Sequence, residues 1–358
     1  MSGRVIVGMS GGVDSSLAAA LLVEQGYDVL GVYMRNWTQE LPGYACPWAA
    51  DLADAERVAV HLSIDLEVWD YEEQYKRDVV DYLVGEYERG RTPNPDVMCN
   101  EKVKFGTFAE AAFARGADYI ATGHYARVAP GEAADAPTRL LRAADEHKDQ
   151  TYFLWRVPHT TFARVLFPIG AVPDKATVRA MAAERGLDVA DKPDSTGICF
   201  IGDIGLRQFL ATQIAPRIGP IVDYESGEVL GSHDGAWQFT LGQRRGLDLG
   251  GGPIRRVVAT DTDENVVYVS ADAHCALLST RTLALESCRW VSGQAPTAGR
   301  YAVRTRHTRA LADARLSITS ADGQRATLDF GESVQATAPG QAVSIYCGTE
   351  CLGGGLVA

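Results

Sequence analysis

No run of the 358-residue sequence approaches the roughly 18 apolar residues that a membrane-crossing helix requires; the longest helical apolar stretch is Leu17 to Val23. No leader is visible either, because Met1-Ser2-Gly3-Arg4 passes directly into the strand-like Val5-Ile6-Val7. A cytoplasmic protein with no membrane partner is expected. Cysteine is sparse: seven residues, at 46, 99, 199, 275, 288, 347 and 351, are odd in number and far apart. That disfavours a disulfide framework and leaves reactive or buried thiols. Bases are in the minority, 34 Lys and Arg against 46 Asp and Glu for a net charge of -12, which taken alone argues against a nucleic-acid partner. Internal repeats are lacking, and only Ala129 to Pro137 reads as a low-complexity loop. What is present, 46% hydrophobic and 22% charged residues, is ordinary globular composition, and the length suggests two or three domains at about 150 residues each.

The charge is unevenly placed. Asp51 to Arg89 holds twelve acids against four bases, whereas Arg300 to Arg315 holds five arginines and His307 against one acid. The first stretch is expected to face away from the substrate, the second to offer a basic face. Hydrophobic patterning predicts a strand over Arg4 to Met9, a helix over Ser15 to Gln25 ended by Gly26, a strand over Asp28 to Met34, a helix over Ala50 to Leu62, a strand over Leu66 to Tyr71, a helix over Phe108 to Arg115 and a strand over Tyr119 to Thr122. Such alternation implies α/β architecture, a parallel sheet covered on both faces with ligands outside the carboxyl ends of the strands. After Gly205 the pattern changes to short strands between turn residues, from Pro220 to Asp223 through Ala342 to Tyr346, as in a small barrel or sandwich. The expected division is a parallel-sheet domain over 1–204, a small β-rich central domain over 205–279 and a C-terminal β-barrel over 280–358. Gly353-Gly354-Gly355 reads as a frayed end.

The most specific local pattern is Ser10-Gly11-Gly12-Val13-Asp14-Ser15-Ser16, directly after the first strand and opening the first helix. Two glycines let backbone approach an anion, free amides and serine hydroxyls donate to it, and the helix dipole favours its charge. A phosphate site follows. It is neither a Walker loop, since no Gly-Lys-Ser/Thr is present, nor Gly-x-Gly-x-x-Gly. The Gly-Gly-x-Asp-Ser form resembles the PP-loop of ATP pyrophosphatases, which grip pyrophosphate and transfer AMP to an oxygen. That resemblance implies ATP and Mg2+, with Asp14 helping to hold the metal.

Two cysteines stand out by context. Cys99 lies in Thr92-Pro93-Asn94-Pro95-Asp96-Val97-Met98-Cys99-Asn100 and Cys199 in Pro193-Asp194-Ser195-Thr196-Gly197-Ile198-Cys199-Phe200. The prolines, Asn94 and Gly197 predict loops in which the thiols stay accessible. An isolated cysteine is more often a small buried hydrophobe, but a chain that activates a substrate with AMP needs a nucleophile to displace AMP. A thiolate serves if nearby cations lower its pKa, and Lys102, Lys104 and Lys192 are the candidates near in sequence.

Taken together the motifs resemble the tRNA 2-thiouridylases, a PP-loop family that puts sulfur on the wobble uridine. They run in order: Gly8 to Ser16, Thr92 to Asp96, Cys99-Asn100, Lys104-Phe105, Ala121 to Ala126, Lys148-Asp149-Gln150, Asp194 to Gly202 and Thr240 to Leu247, with weaker matches at Arg304 to His307 and Pro339 to Gln341. The resemblance implies that Gly8, Met9, Ser10, Gly11, Gly12, Val13, Asp14, Ser15, Met34 and Gly123 bind ATP. Asn94, Pro95 and Asp96 would contact the target base. Cys199 would carry sulfur as a persulfide and Cys99 would be the second catalytic thiol. His124, Lys148, Asp149, Gln150, Arg306, His307 and Gln341 would contact the anticodon stem-loop of tRNA. Arg306-His307-Thr308-Arg309 departs from the family's usual Arg-Tyr-Arg run. A persulfide donor, either a cysteine desulfurase or a sulfur-relay protein, is the implied protein partner.

Chemistry of the residues fits these roles. RNA is read mostly at unstacked single-stranded bases, by stacking and hydrogen bonding, and a base modified at C2 must leave its stack. Trp37, Tyr125 and Tyr152 can stack on such a base or serve as packing. Overall acidity does not exclude RNA, because counterion release depends on the phosphates contacted. Two other readings remain: a PP-loop ligase of small molecules, which leaves the cysteine pair and the basic segment unexplained, and a non-enzymatic RNA binder. A zinc site of Cys275, Cys288, Cys347 and Cys351 has irregular spacing, and no resident metal site is expected.

Overall fold

The computed structural model describes residues 3–39, 48–133, 135–194 and 205–358, and every element below is counted among them. The apolar run Val5-Ile6-Val7 makes β1 (Arg4–Gly8), the central strand of a sheet ordered β3-β2-β1-β4-β7. Its neighbours are β2 (Asp28–Arg35), β3 (Asp65–Asp70), β4 (Tyr119–Ala121) and β7 (Val165–Leu166), all parallel. Alternation along β1 sends Val5 and Val7 into one core and Ile6 into another, and all three are fully buried, as a parallel sheet covered on both faces demands. The first core is closed by α1 (Val13–Glu24), α2 (Trp48–Leu62) and, later in the chain, α4 (Lys175–Glu184); the second includes α3 (Phe108–Ala114). Gly26, at φ 82°, ends α1 where the sequence places it.

The chain runs from β1 outward to β2 and β3, then returns to the other side of β1 for β4 and β7. The strand order therefore reverses beside β1, and the carboxyl ends of β1 and β4 are where a sheet of this order binds ligands.

A second sheet, β10-β11-β8-β9, comes from β8 (Gly219–Asp223), β9 (Val229–His233), β10 (Arg256–Asp261) and β11 (Val266–Ser270) around Ile221, Val257, Val267 and Val269. The last six strands, β12 (Ser279–Trp290), β13 (Gly299–Arg304), β14 (Ala312–Ile318), β15 (Ala326–Gln335), β16 (Ala342–Cys347) and β17 (Glu350–Val357), form an antiparallel barrel closed by pairing of β12 with β17.

The frayed end expected at the C terminus is corrected. Gly353, Gly354 and Gly355 lie inside β17, which pairs with β16 on one side and β12 on the other. A Cβ on Gly353 would meet Arg289 O at 2.3 Å, one on Gly354 Val343 O at 2.1 Å, and one on Gly355 Cys288 Sγ at 2.8 Å. Glycine is there for close backbone approach. A second feature has no sequence signal: the hairpin β5 (Ala126–Ala129) and β6 (Arg139–Arg142) leaves the first sheet and joins the barrel, Leu140 pairing with Cys351 and Leu141 with Glu350. One hydrophobic core accordingly holds Ile6 and Phe108 together with Leu140, Trp155, Tyr346 and Cys351.

Candidate active site

The phosphate loop is built as its sequence predicts. Gly11 adopts φ 71°, and a Cβ there would lie 2.1 Å from Asp51 O. Gly12 caps α1 in an extended conformation without a side-chain bond. The serines brace the turn: Ser15 Oγ accepts from Ser10 N at 3.1 Å, and Ser16 Oγ donates to Gly12 O at 2.8 Å. Around this loop gather the other expected nucleotide residues. A Cβ on Gly8 would strike Met34 Cε at 2.9 Å, and one on Gly123 would strike Ser15 N at 2.5 Å, so the ends of β1, β2 and β4 converge on the start of α1. The arrangement offers free amides, a positive helix end and glycine-lined backbone to an anion.

Asp14, in the first turn of α1, accepts from Tyr125 Oη at 2.7 Å and from Lys175 Nζ at 2.7 and 2.8 Å. Lys175 also contacts Asp194 at 2.8 Å, and Asp194 takes Lys148 at 2.7 Å and Arg179 at 2.9 Å. Burial would raise the Asp194 carboxyl, but the hydrogen bonds from Lys148 and Lys175 overcome it and bring it down to about 2. Three cations thus share two carboxylates beside the loop. Magnesium that arrives with a triphosphate takes one or two protein carboxylates, and Asp14 fits that need once Lys175 yields it.

One expectation about charge is corrected here. Among the described residues Lys192 Nζ bonds Gly11 O at 3.1 Å, Asp51 at 2.7 Å and Asp54, clamping the loop to α2. Asp51 and Asp54, from the acidic stretch expected to face away, therefore stand at the nucleotide loop. Burial opposes the Lys192 charge, yet those two carboxylates hold its pKa above the ordinary value.

The accessible loop predicted for Cys99 is also corrected. Asn94 Oδ1 accepts from Asp96 N at 3.1 Å and Pro95 takes the first helical position, so a short helix, Pro95–Met98, starts there and runs on as a π-helical segment, Cys99–Thr107. Cys99 is 3% exposed, in the core with Val97, Val103 and Phe105. Lys102 pairs with Glu101 at 3.3 Å. Cys199, the other expected thiol, lies outside the described residues. Half-buried Asp96 has its carboxyl raised by burial, an effect only partly offset by the Lys104 charge.

The residues assigned to RNA divide by placement. His124 is buried, its Nδ1 sharing a hydrogen bond with Thr122 Oγ1 at 2.8 Å and its ring against Phe105 and Phe167; burial, with Lys104, drives its pKa well below 6.5. Asp149 is corrected as an RNA contact. Its carboxylate is 0% exposed and accepts from Arg142 Nε at 3.2 Å, Arg304 Nη1 at 3.3 Å and Thr151 Oγ1 at 2.8 Å. Gln150 Oε1 accepts from Tyr125 N at 2.9 Å, and His307 Nε2 bonds Asp149 O at 3.3 Å while its ring lies 4.6 Å from Phe153. The 148–151 segment thereby spans from the Asp14 network to the barrel.

Tyr152 and Thr92 join the remaining candidates. Tyr152 Oη donates to Ala342 O at 2.7 Å, shares a hydrogen bond with Asn94 and lies in the field of Arg306. Thr92 N donates to Pro339 O at 2.8 Å, Thr92 O accepts from Gln341 Nε2 at 2.6 Å, and its hydroxyl meets that of Thr240 at 3.2 Å. One residue thus touches the segment before β10, at Thr240, and the loop before β16, at Pro339 and Gln341, just before Asn94. Arg306 has a buried Nε with no partner among the described residues, Arg309 N donates to Arg306 O at 3.0 Å, and Arg309 Nη1 donates to Thr305 Oγ1 at 3.2 Å and Gln335 O at 3.4 Å. Trp37, Tyr125 and Tyr152 are all packed in the interior, which removes them as open stacking platforms. A cleft of ≈ 610 Å³ between Glu101, Lys102, Arg156, Cys288 and Gln324 contains none of the residues expected to bind ATP or RNA and neither Cys99 nor Asp14. Sequence reasoning missed Lys175 and Arg179; Asp174-Lys175 at a helix start looks like ordinary capping, and Asp174 does cap α4, accepting from Thr177 N at 2.7 Å.

Comparison with known proteins matches the described tRNA methyl transferase HUP domain over residues 3–203, the tRNA methyl transferase PRC-barrel domain over 207–271 and the aminomethyltransferase beta-barrel domain over 280–357. The chain is 42% identical to the tRNA-specific 2-thiouridylase MnmA of Bacillus subtilis over 99% of its own length and 94% of the relative's. It is 44% identical to the protein of that name from Geobacillus thermodenitrificans, again over 99% and 94%. Against the Bordetella pertussis protein of that name identity is 43%, over 99% and 98%.

Proposed function

The chain belongs to the tRNA-specific 2-thiouridylase family, and from that premise we propose that it exchanges the C2 oxygen of the wobble uridine of tRNA for sulfur, using ATP. The observation that carries this reading is likeness along the whole chain, 42% identity over 99% of it. The loop supports it physically: an anion-accepting turn at the start of α1 suits a triphosphate. Methyl transfer, the wording of two matched domain descriptions, does not require such a turn.

The reaction has two stages. Uridine O2 attacks the α-phosphorus, the bond to the β-phosphate oxygen breaks, pyrophosphate leaves with the electron pair, and N3 gives up its proton. O2 then carries AMP. In the second stage the terminal sulfur of a Cys199 persulfide attacks C2 and AMP departs with the C2–O2 electrons. The Cys99 thiolate attacks Cys199 Sγ, the sulfur on C2 keeps the electrons of the broken S–S bond, and N3 is reprotonated. A Cys99–Cys199 disulfide remains for an external thiol to reduce. A cysteine desulfurase or sulfur-relay protein supplies the persulfide.

The loop from Gly8 to Ser15, with Met34 and Gly123, holds the nucleotide. Asp14 is the carboxylate that would hold magnesium, whose charge neutralises the phosphates. Asn94, Pro95 and Asp96 present the base, and Lys148, Gln150, Arg306, His307 and Gln341 orient the RNA. Residues 1–204 activate, 280–358 grip the anticodon stem-loop, and 205–279 join them, on tRNA of the cytoplasm.

The test is mass spectrometry of nucleosides from tRNA incubated with the protein, ATP, magnesium and a persulfide source. An oxygen-to-sulfur mass gain on the wobble uridine is expected, lost in both Cys99→Ser and Cys199→Ser. Full activity in either variant overturns the two-thiol scheme. ATP–pyrophosphate exchange that needs an amino acid instead of tRNA would favour a small-molecule ligase.

A further inference from the structure

Arg91 stands shortly before Asn94, and both its backbone and its guanidinium are committed. Gly90, at φ 71°, ends the helix Asp81–Glu88: Gly90 N donates to Tyr87 O at 3.0 Å and Arg91 N to Glu86 O at 2.9 Å, which satisfies carbonyls of the last turn. Arg91 Nε donates to Glu86 Oε2 at 2.7 Å, while Nη2 reaches Glu286 Oε1 at 2.5 Å and Val357 O at 3.3 Å. Glu286 lies on β12 opposite Leu356 of β17, at the seam that closes the barrel. We propose that Arg91 is a positioning residue: it registers the base-presenting residues 94–96 against the barrel, and so aligns uridine O2 with the α-phosphorus of ATP. The proposal rests on the ATP-dependent reading above and adds to it the joint between the part that grips RNA and the part that activates it.

The joint is dense. Thr92 N donates to Pro339 O at 2.8 Å, and Thr92 O accepts from Gln341 Nε2 at 2.6 Å. Gly340 N donates at 2.8 Å to the same Val357 O that accepts from Arg91, and Val357 N donates to Gln341 O at 2.9 Å. The side chain of Arg91 and the backbone of Thr92 therefore hold one turn of the barrel between them. That turn has no slack: Gly340 has φ 82°, and a Cβ on it would meet Arg91 Cβ at 3.0 Å and Thr92 N at 3.2 Å.

What connects the joint to the base segment is stiff. Pro93 and Pro95 fix their own φ and keep the residues before them out of helical conformation, and Asn94 is extended at φ -111°, ψ 102°. A shift at Arg91 is passed along Pro93 to Asn94 instead of being absorbed. The guanidinium also sets a distance. Its side chain is 20% exposed, and its two carboxylates come from the preceding helix and from the barrel, 12% and 39% exposed. A planar fork bridges two such acceptors in one geometry, which a single ammonium does not. Reacting groups held in line lose about 10²-fold in rate when displaced by about 1 Å, even by a change far from the chemistry. Loss of Arg91 should therefore act on turnover of bound RNA, not on RNA affinity.

Steady-state pyrophosphate release by the full chain at saturating ATP and tRNA, with tRNA affinity measured separately by filter binding, tests the assignment. Arg91→Gln should lower kcat about 10²-fold and change the tRNA Kd less than about threefold. Arg91→Lys, which meets one acid at a time, should stay well below the unmodified kcat. Glu286→Gln, which breaks the barrel side alone, should lower kcat about tenfold, and adding it to Arg91→Gln should lower kcat no further, since both act through one bond. Circular dichroism of each variant confirms the fold. Glu86 keeps Arg89 at 3.1 Å when Arg91 is replaced, and Glu286→Gln carries the test should Arg91→Gln fail to fold. An undiminished kcat in folded Arg91→Gln overturns the proposal, as does a loss confined to tRNA affinity or to melting temperature, which would make Arg91 an RNA contact or a strut alone. Absence of tRNA-dependent pyrophosphate release in the unmodified protein would defeat the ATP-dependent reading instead.

Discussion

The Asp149→Asn substitution separates a buried strut from an RNA contact. Asp149 is 0% exposed and lies between Arg142 and Arg304, whose side chains are 11% and 7% exposed. The amide has the volume of the carboxylate and can still accept from Thr151 at Oδ1, where the 2.8 Å bond is made. What is lost is the charge facing two buried guanidiniums, and an amide N–H turned toward them is a donor against donors. Arg142 has a second acid, Glu146 at 3.6 Å, but that side chain is 75% exposed and contributes little. Removing one partner of a buried pair costs about 3–5 kcal/mol. At a urea slope of about 3 kcal/mol/M the unfolding midpoint should fall by roughly 1–2 M. Fluorescence of fully buried Trp155, in the same core as Tyr346 and Cys351, reports the transition. The folded variant should bind tRNA as the unmodified protein does. A midpoint lowered by less than roughly 0.3 M, about 1 kcal/mol at that slope, would refute the strut. Weaker tRNA binding with unchanged stability would return Asp149 to the RNA face.

Two further outcomes follow from the packing and from the buried histidine. Gly354→Ala places a Cβ 2.1 Å from Val343 O and should lower barrel stability by about 1–3 kcal/mol, read as a lower melting temperature; an unchanged value would mean the strand can shift without cost. Burial holds His124 well below its ordinary 6.5, so the unfolded chain takes up its proton first. Its contribution to stability is complete above pH 6.5 and declines as the pH falls below that value, by up to about 1.4 kcal/mol per pH unit. A His124→Gln variant should lack that slope, and an identical pH profile in both proteins would contradict the burial argument.

The parallel sheet and the phosphate loop were legible because their signals are local. Val5-Ile6-Val7 is apolar on both faces and Gly11-Gly12 sits between strand and helix, so neighbouring residues determine the outcome. Cys99 misled for the same reason: Pro95 and Asn94 signal a turn, but that turn starts a helix which tertiary packing buries. Gly353 to Gly355 reads as a loose end until the strands beside it are known, since only their carbonyls explain why a side chain is excluded. Lys175 and Asp149 depend on partners 161 and 155 positions away, Asp14 and Arg304, and no window of sequence contains such pairs.

The hairpin that leaves the first sheet for the barrel sets an order on synthesis. Leu141 pairs with Glu350, 209 positions later. At roughly 5–20 residues per second the ribosome takes about 10–40 s to deliver that partner. Through this interval Leu140, destined for the core that Tyr346 and Cys351 complete, has no barrel to cover it. The β5–β6 side of the first domain therefore stays uncovered until β16 and β17 have been made. A chain stopped before β16 would leave Leu140 exposed to water.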